Sequence, residues 1–141
     1  DELLVALTHR HIGSTTSELT TLLIALPSNI ELDDILRIVV DFLVSQHDLD
    51  DLHLLVMHQA PRTQDINIAL EQARSQLVEI TSKILRTKIP DAQKRGLIAR
   101  MIVATIDASV HDVILRQQRG KARKAAVDLT IATALSIIEQ V

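Results

Sequence analysis

Residues 95–115 read RGLIARMIVATIDASVHDVIL. Placed on a helical wheel at about 100° per residue, this stretch has two apolar faces. Ile102, Val103, Ile106, Val110, Val113 and Ile114 lie on one, and Leu97, Met101, Ala104, Ala108 and Leu115 on the other. Two narrow polar stripes separate them. Arg100, Asp107, His111 and Gln118 form the first, and Thr105, Ser109, Asp112 and Arg116 the second. A helix at the edge of one subunit needs a single apolar face. The second face predicts contact with another molecule, unless both faces are absorbed by one thick core.

Five more helices are predicted around this one. The helix itself spans about 92–118, with Asp91 placed to cap it after the break IPD at 89–91 and Gly96 inside it at a cost of about 1 kcal/mol relative to Ala. The last helix, about 123–140, repeats the two-sided pattern. Val127, Ile131, Ala134 and Ile138 line one side, and Ala125, Leu129, Ala132, Thr133 and Ser136 another. Upstream, a first helix over about 1–26 stops at Pro27, and its IGSTTS segment (12–17) predicts a bend because these are poor helix formers. A second, about 32–47, is apolar nearly all round apart from Asp34, Arg37, Asp41 and Ser45. A short third, about 50–59, starts among Asp48, Asp50 and Asp51, where the helix dipole favours acids, and ends before Pro61. A fourth, about 65–88, carries Leu70, Ala73, Leu77, Ile80 and Ile84 on one face.

Composition agrees with an all-α domain. The 141 residues are 47% hydrophobic and 23% charged, with only three Gly and three Pro to interrupt helices. Phe42 is the sole aromatic ring, which excludes base-stacking platforms for single-stranded nucleic acid. There is no Cys, so thiol catalysis, disulfides and thiolate metal sites are excluded. No apolar run approaches the roughly 20 residues of a membrane span. A net charge of −3 gives the chain no electrostatic footprint for DNA.

Catalytic and metal motifs are missing. A di-iron bundle needs Glu followed three residues later by His, and Glu18, Glu71 and Glu79 lack that partner. His9 and His11 are two apart and His53 and His58 five apart, whereas helical zinc sites use a spacing of four. No metal, no cofactor and no enzymatic activity are expected. The basic stretch RQQRGKARK (116–124) reads first as a solvated turn and second as a contact for phosphate or an acidic partner.

Four segments together resemble a known family. DELLVALTHRH at the start, LHLLVMHQAP at 52–61, RGLIARMIVATIDASVHDVIL and the Ala-rich last helix resemble the C-terminal regulatory domain of the TetR (tetracycline-repressor) family of bacterial transcription regulators. Asp1 to Leu4 match the segment that follows the family's helix-turn-helix DNA reader. The resemblance spans the whole chain. It implies a six-helix regulatory core whose last two helices form a four-helix homodimer interface, in a cytoplasmic protein. DNA binding would belong to an N-terminal reader domain that this chain lacks.

The resemblance also implies a small, mostly apolar effector that shifts the population between two conformations and so changes DNA affinity. Candidate pocket residues are Phe42, Leu55, His58, Leu77, Met101, Thr105 and Ser109. Candidate dimer contacts are Ile102, Ile106, Val110 and Val113 together with Leu129, Ala132, Thr133 and Ser136. The rival reading is a ligand-independent all-α dimerisation module, distinguished by a core without a cavity.

Overall fold

The computed structural model describes residues 2–48, 59 and 61–140. Among these it contains five α-helices and no strand: α1 (Glu2–Ile24), α2 (Leu32–Asp48), α3 (Gln64–Ile84), α4 (Ala92–Ala108) and α5 (Lys121–Glu139). The short helix predicted over 50–59 lies outside the described residues, Gln59 apart. No helix among the described residues is long and apolar enough to cross a membrane.

Local chemistry sets the helix ends. Thr63 caps α3 by accepting the Ile66 amide at 3.2 Å, and Asp91 caps α4 by accepting the Lys94 amide at 2.7 Å. Gly120 precedes α5 with φ of +102°, a conformation that side chains disfavour and glycine tolerates. α1 is continuous in hydrogen bonding across the IGSTTS segment. Thr8, Thr16 and Thr21 donate their hydroxyls to the carbonyls of Leu4, Ile12 and Ser17, four residues back, so these groups are satisfied within the helix. The fourth predicted helix tightens into a 3₁₀ turn at Leu85–Thr87.

The helix predicted over 92–118 does not stay α-helical. After Ala108 it widens into a π turn, Ser109–Val113, and then tightens into a 3₁₀ turn, Ile114–Arg116. The apolar pattern supplies a reason. Ile98, Ile102, Ile106, Val110 and Ile114 repeat every fourth residue and are all buried. In an α-helix each such step overshoots a full turn by about 40°, so Ile98 and Ile114 would drift to nearly opposite sides. A π turn has more residues per turn and reverses the drift. Val110 and Ile114 consequently return to the core with no exposed surface.

The helices pack in a cyclic order, α1–α3–α4–α5–α2 and back to α1. The main core lies between α2, α4 and α5. Leu36 and Val40 come from α2, Ile98, Ile102 and Ile106 from α4, Val110 and Ile114 from the turns after it, and Val127, Ile131 and Ala134 from α5. Leu85 and Ile89 close one end from the α3–α4 connection. The α1–α3 seam is built differently. Its fully buried positions are Thr8, Thr16 and Leu19 on α1 and Ile66 on α3.

Candidate functional site

α4 and α5 form a hairpin through the turn at 117–120, and both helices leave an apolar stripe uncovered. On α4 the stripe is Leu97 (55% exposed), Met101 (46%), Ala104 and Ala108. On α5 it is Ala125, Leu129 (69% exposed), Ala132 and Ser136, with Thr133 beside them. Each stripe steps by four, three and four residues, the spacing of one helix face. The side chains other than Leu and Met are small, which lets another helix approach closely.

This arrangement corrects the sequence assignment on α4. Ile102, Ile106 and Val110 are 2%, 6% and 0% exposed and fill the subunit's own core, which removes them from any partner contact. The wheel shows two apolar faces, and the β-branched one turns inward because its bulk fills the space against α2 and α5. Val113, in the π turn, is exposed. On α5 the division follows the wheel: Val127, Ile131 and Ala134 are buried, while Leu129, Ala132, Thr133 and Ser136 are at the surface.

The residues expected to line an effector pocket fall on several elements. Phe42, Leu77, Thr105 and Ser109 are half-buried, Met101 is exposed on the hairpin stripe, and Leu55 and His58 lie outside the described residues. Two open grooves exist elsewhere. One, of about 510 Å³, runs between α1 and α3 past His9, Gly13, Thr16, Thr20, Ala73 and Gln76. The other, of about 450 Å³, lies beside the α1–α2 turn and the end of α3, against Leu26, Pro27, Ile35 and Ile84. Neither is lined by a residue of the expected set.

A polar network that the sequence reading missed joins three helices. His47, 6% exposed near the end of α2, places Nε2 2.9 Å from Nε2 of His111 in the π turn. The rings meet edge to face with centroids 4.7 Å apart. Nδ1–H of His47 donates to the Leu43 carbonyl, and Nδ1–H of His111 donates to the Asp107 carbonyl at 2.9 Å. The Asp107 carboxylate lies 3.2 Å from His111 Nδ1 and 3.7 Å from Arg74 of α3. Burial pushes His47 down to about 4, helped by the charges of His111 and His11. The Asp107 side chain raises His111 above its ordinary value, and that same bond lowers Asp107. Sequence inspection compared histidines only at short helical spacings, while this pair is 64 residues apart. The signal that could have found it is His47 itself, which sits on a helix that is apolar on most sides.

The basic stretch at 116–124 is partly used within the fold. Arg123 grips both carboxylate oxygens of Asp48 at 3.0 and 2.8 Å, and Arg119 reaches the same group at 3.3 Å. These bonds tie the end of α2 to the start of α5. Arg116, Lys121 and Lys124 are exposed. Comparison of the chain with protein-family models, with curated proteins and with solved structures finds no match.

Proposed function

We propose that this chain is the dimerisation and effector-sensing domain of a TetR-type bacterial transcription regulator. The observation that carries the reading is the α4–α5 hairpin, in which two neighbouring helices each expose an apolar stripe at one-face spacing. Pairing two such hairpins about a two-fold axis makes a four-helix interface, the same patch serving both subunits. A stable dimer of this kind buries on the order of 1,600 Å² in total. The sequence resemblance supplies the rest of the reading. The dimer would set the spacing of two N-terminal DNA-reading domains in the cytoplasm, and half-sites one helical turn apart would reward one spacing only. An effector that binds one conformation better than the other would then weaken or strengthen DNA binding.

The test uses mass action. A dimer that is more stable than its subunits melts at a temperature that rises with protein concentration. The melting temperature of this chain should rise across a hundredfold range of concentration, and Leu129→Asp should abolish that dependence. A concentration-independent melt of the unaltered chain would remove the dimer from the account.

A second reading rests on the same hairpin. The exposed α4 and α5 stripes would equally serve a dimerisation module that senses nothing. Native mass spectrometry separates the two. A small molecule carried stoichiometrically through purification supports the sensor, and a bare dimer supports the module.

A further inference from the structure

The hydrogen bonds around His47 and His111 need one proton more than two neutral rings hold. His47 Nδ1 bonds to the Leu43 carbonyl, His111 Nδ1 to the Asp107 carbonyl, and the two Nε2 atoms to each other at 2.9 Å. A carbonyl oxygen only accepts, so both Nδ1 atoms carry hydrogen. A neutral imidazole has a single N–H, so in two neutral rings neither Nε2 can donate to the other. The contact between the rings is a hydrogen bond once one of them is an imidazolium. Their surroundings decide which. The Asp107 carboxylate lies 3.2 Å from His111 Nδ1, and the His111 side chain is 26% exposed. His47 is 6% exposed. A carboxylate neighbour favours the charged ring, and burial resists it. His111 therefore carries the extra proton and donates Nε2–H to His47.

We propose that His111 is the latch of a pH-sensitive joint: protonated, it ties the end of α2 to the π turn after α4, and on giving up its proton it releases that tie. The joint sits where α4 gives way to the connection leading into α5. Among the described residues, the charged and titratable groups around it come from every neighbouring element. Asp107 and Asp112 flank His111, and Arg74 of α3 stands 3.7 Å from Asp107, farther than His111 does. His11 of α1 and Asp48 of α2 act on His47, and Asp48 in turn binds Arg119 and Arg123. The Asp48 bonds and the buried Val110 and Ile114 do not depend on the His111 proton. Release is therefore a local opening of the α2 end and residues 109–116, not unfolding of the chain.

The direction of the response follows from the same contacts. The Asp107 side chain holds His111 above the ordinary histidine value of 6.5. Its contribution is complete below 6.5 and is lost as pH rises through the higher folded value. His47 acts in the opposite direction. Burial holds it at about 4, so its contribution is present above 6.5 and is lost as pH falls. Of the two rings, only His111 opens the joint on the alkaline side.

Two measurements on the full chain test this, and neither depends on the dimer reading. Proton resonances of the histidine rings followed from pH 4 to pH 9 should show His111 titrating above 6.5, and Asp107→Asn should lower its midpoint. Hydrogen exchange, corrected for the intrinsic pH dependence of amide chemistry, should show protection of residues 109–116 falling about threefold or more between pH 6 and pH 9, while α4 around Ile102 keeps its protection. His111→Gln should make protection of 109–116 independent of pH across that range. His111 is partly exposed, so this variant keeps the fold, verifiable by circular dichroism. A His111 midpoint at or below 6.5 in the unaltered chain overturns the proposal, as does an alkaline loss of protection that persists in His111→Gln.

Discussion

The α2–α4–α5 side and the α1–α3 seam are both helix-on-helix packing, yet they are built from different material. α4 and its following turns bury five Ile and Val side chains at every fourth position, interlocked with Val40 and Ile131. α1 buries two threonines that are bonded to their own helix, and one leucine. The first packing is continuous; the second has an open groove of about 510 Å³ along it. Dense packing transmits strain and resists deformation, while few buried apolar contacts and open surface mark segments that open at low cost. The contrast assigns the rigid half of the molecule to the hairpin that would carry a dimer, and the yielding half to α1 and α3.

Core truncation tests this most strongly. Ile102→Ala, in the enclosed core, should destabilise the chain by about 4 kcal/mol, toward the upper end for such changes. Leu19→Ala, on the seam, should cost about 2–3 kcal/mol, because the adjoining groove lets the site relax or hydrate. Urea denaturation measures both, and equal costs would erase the distinction between the two regions. Hydrogen exchange sharpens it: amides of α1 should exchange through local opening, and those of α4 around Ile102 only through global unfolding.

Smaller effects are expected at the joints. Arg123→Ala removes two bonds to Asp48, a pair that is only partly exposed, and should cost about 1 kcal/mol with a loss that shrinks in high salt. Asp91→Ala removes the cap of α4 at a cost of about 1 kcal/mol or less. Both are read from the midpoint of the same denaturation curve. A cost at Asp91 above that at Ile102 would mean that helix ends, and not the core, hold the hairpin together.

The sequence displays the outline of this arrangement more clearly than its details. The helices announce themselves through Pro27, Pro90 and Gly120 and through their apolar periods. The two faces of α4 are also legible, but their assignment is not. Ile102 and Met101 differ little in hydrophobicity, and only the shape of the space between α2 and α5 decides which is enclosed. The π turn is hidden for a related reason, since it arises from a four-residue repeat that must match a core the sequence does not draw. The His47–His111 pair depends on chain segments 64 residues apart, and a wheel drawn for one helix at a time places His111 on a polar stripe with Arg100.

The central claim is that the exposed stripes of α4 and α5 close a homodimer, and sedimentation equilibrium at micromolar concentration tests it most directly. The unaltered protein should sediment at twice the 15.6 kDa chain mass, and Met101→Asp combined with Leu129→Asp at the single-chain mass, with helical circular dichroism retained. A monomer in the unaltered protein, or a dimer that survives both aspartates, would contradict it.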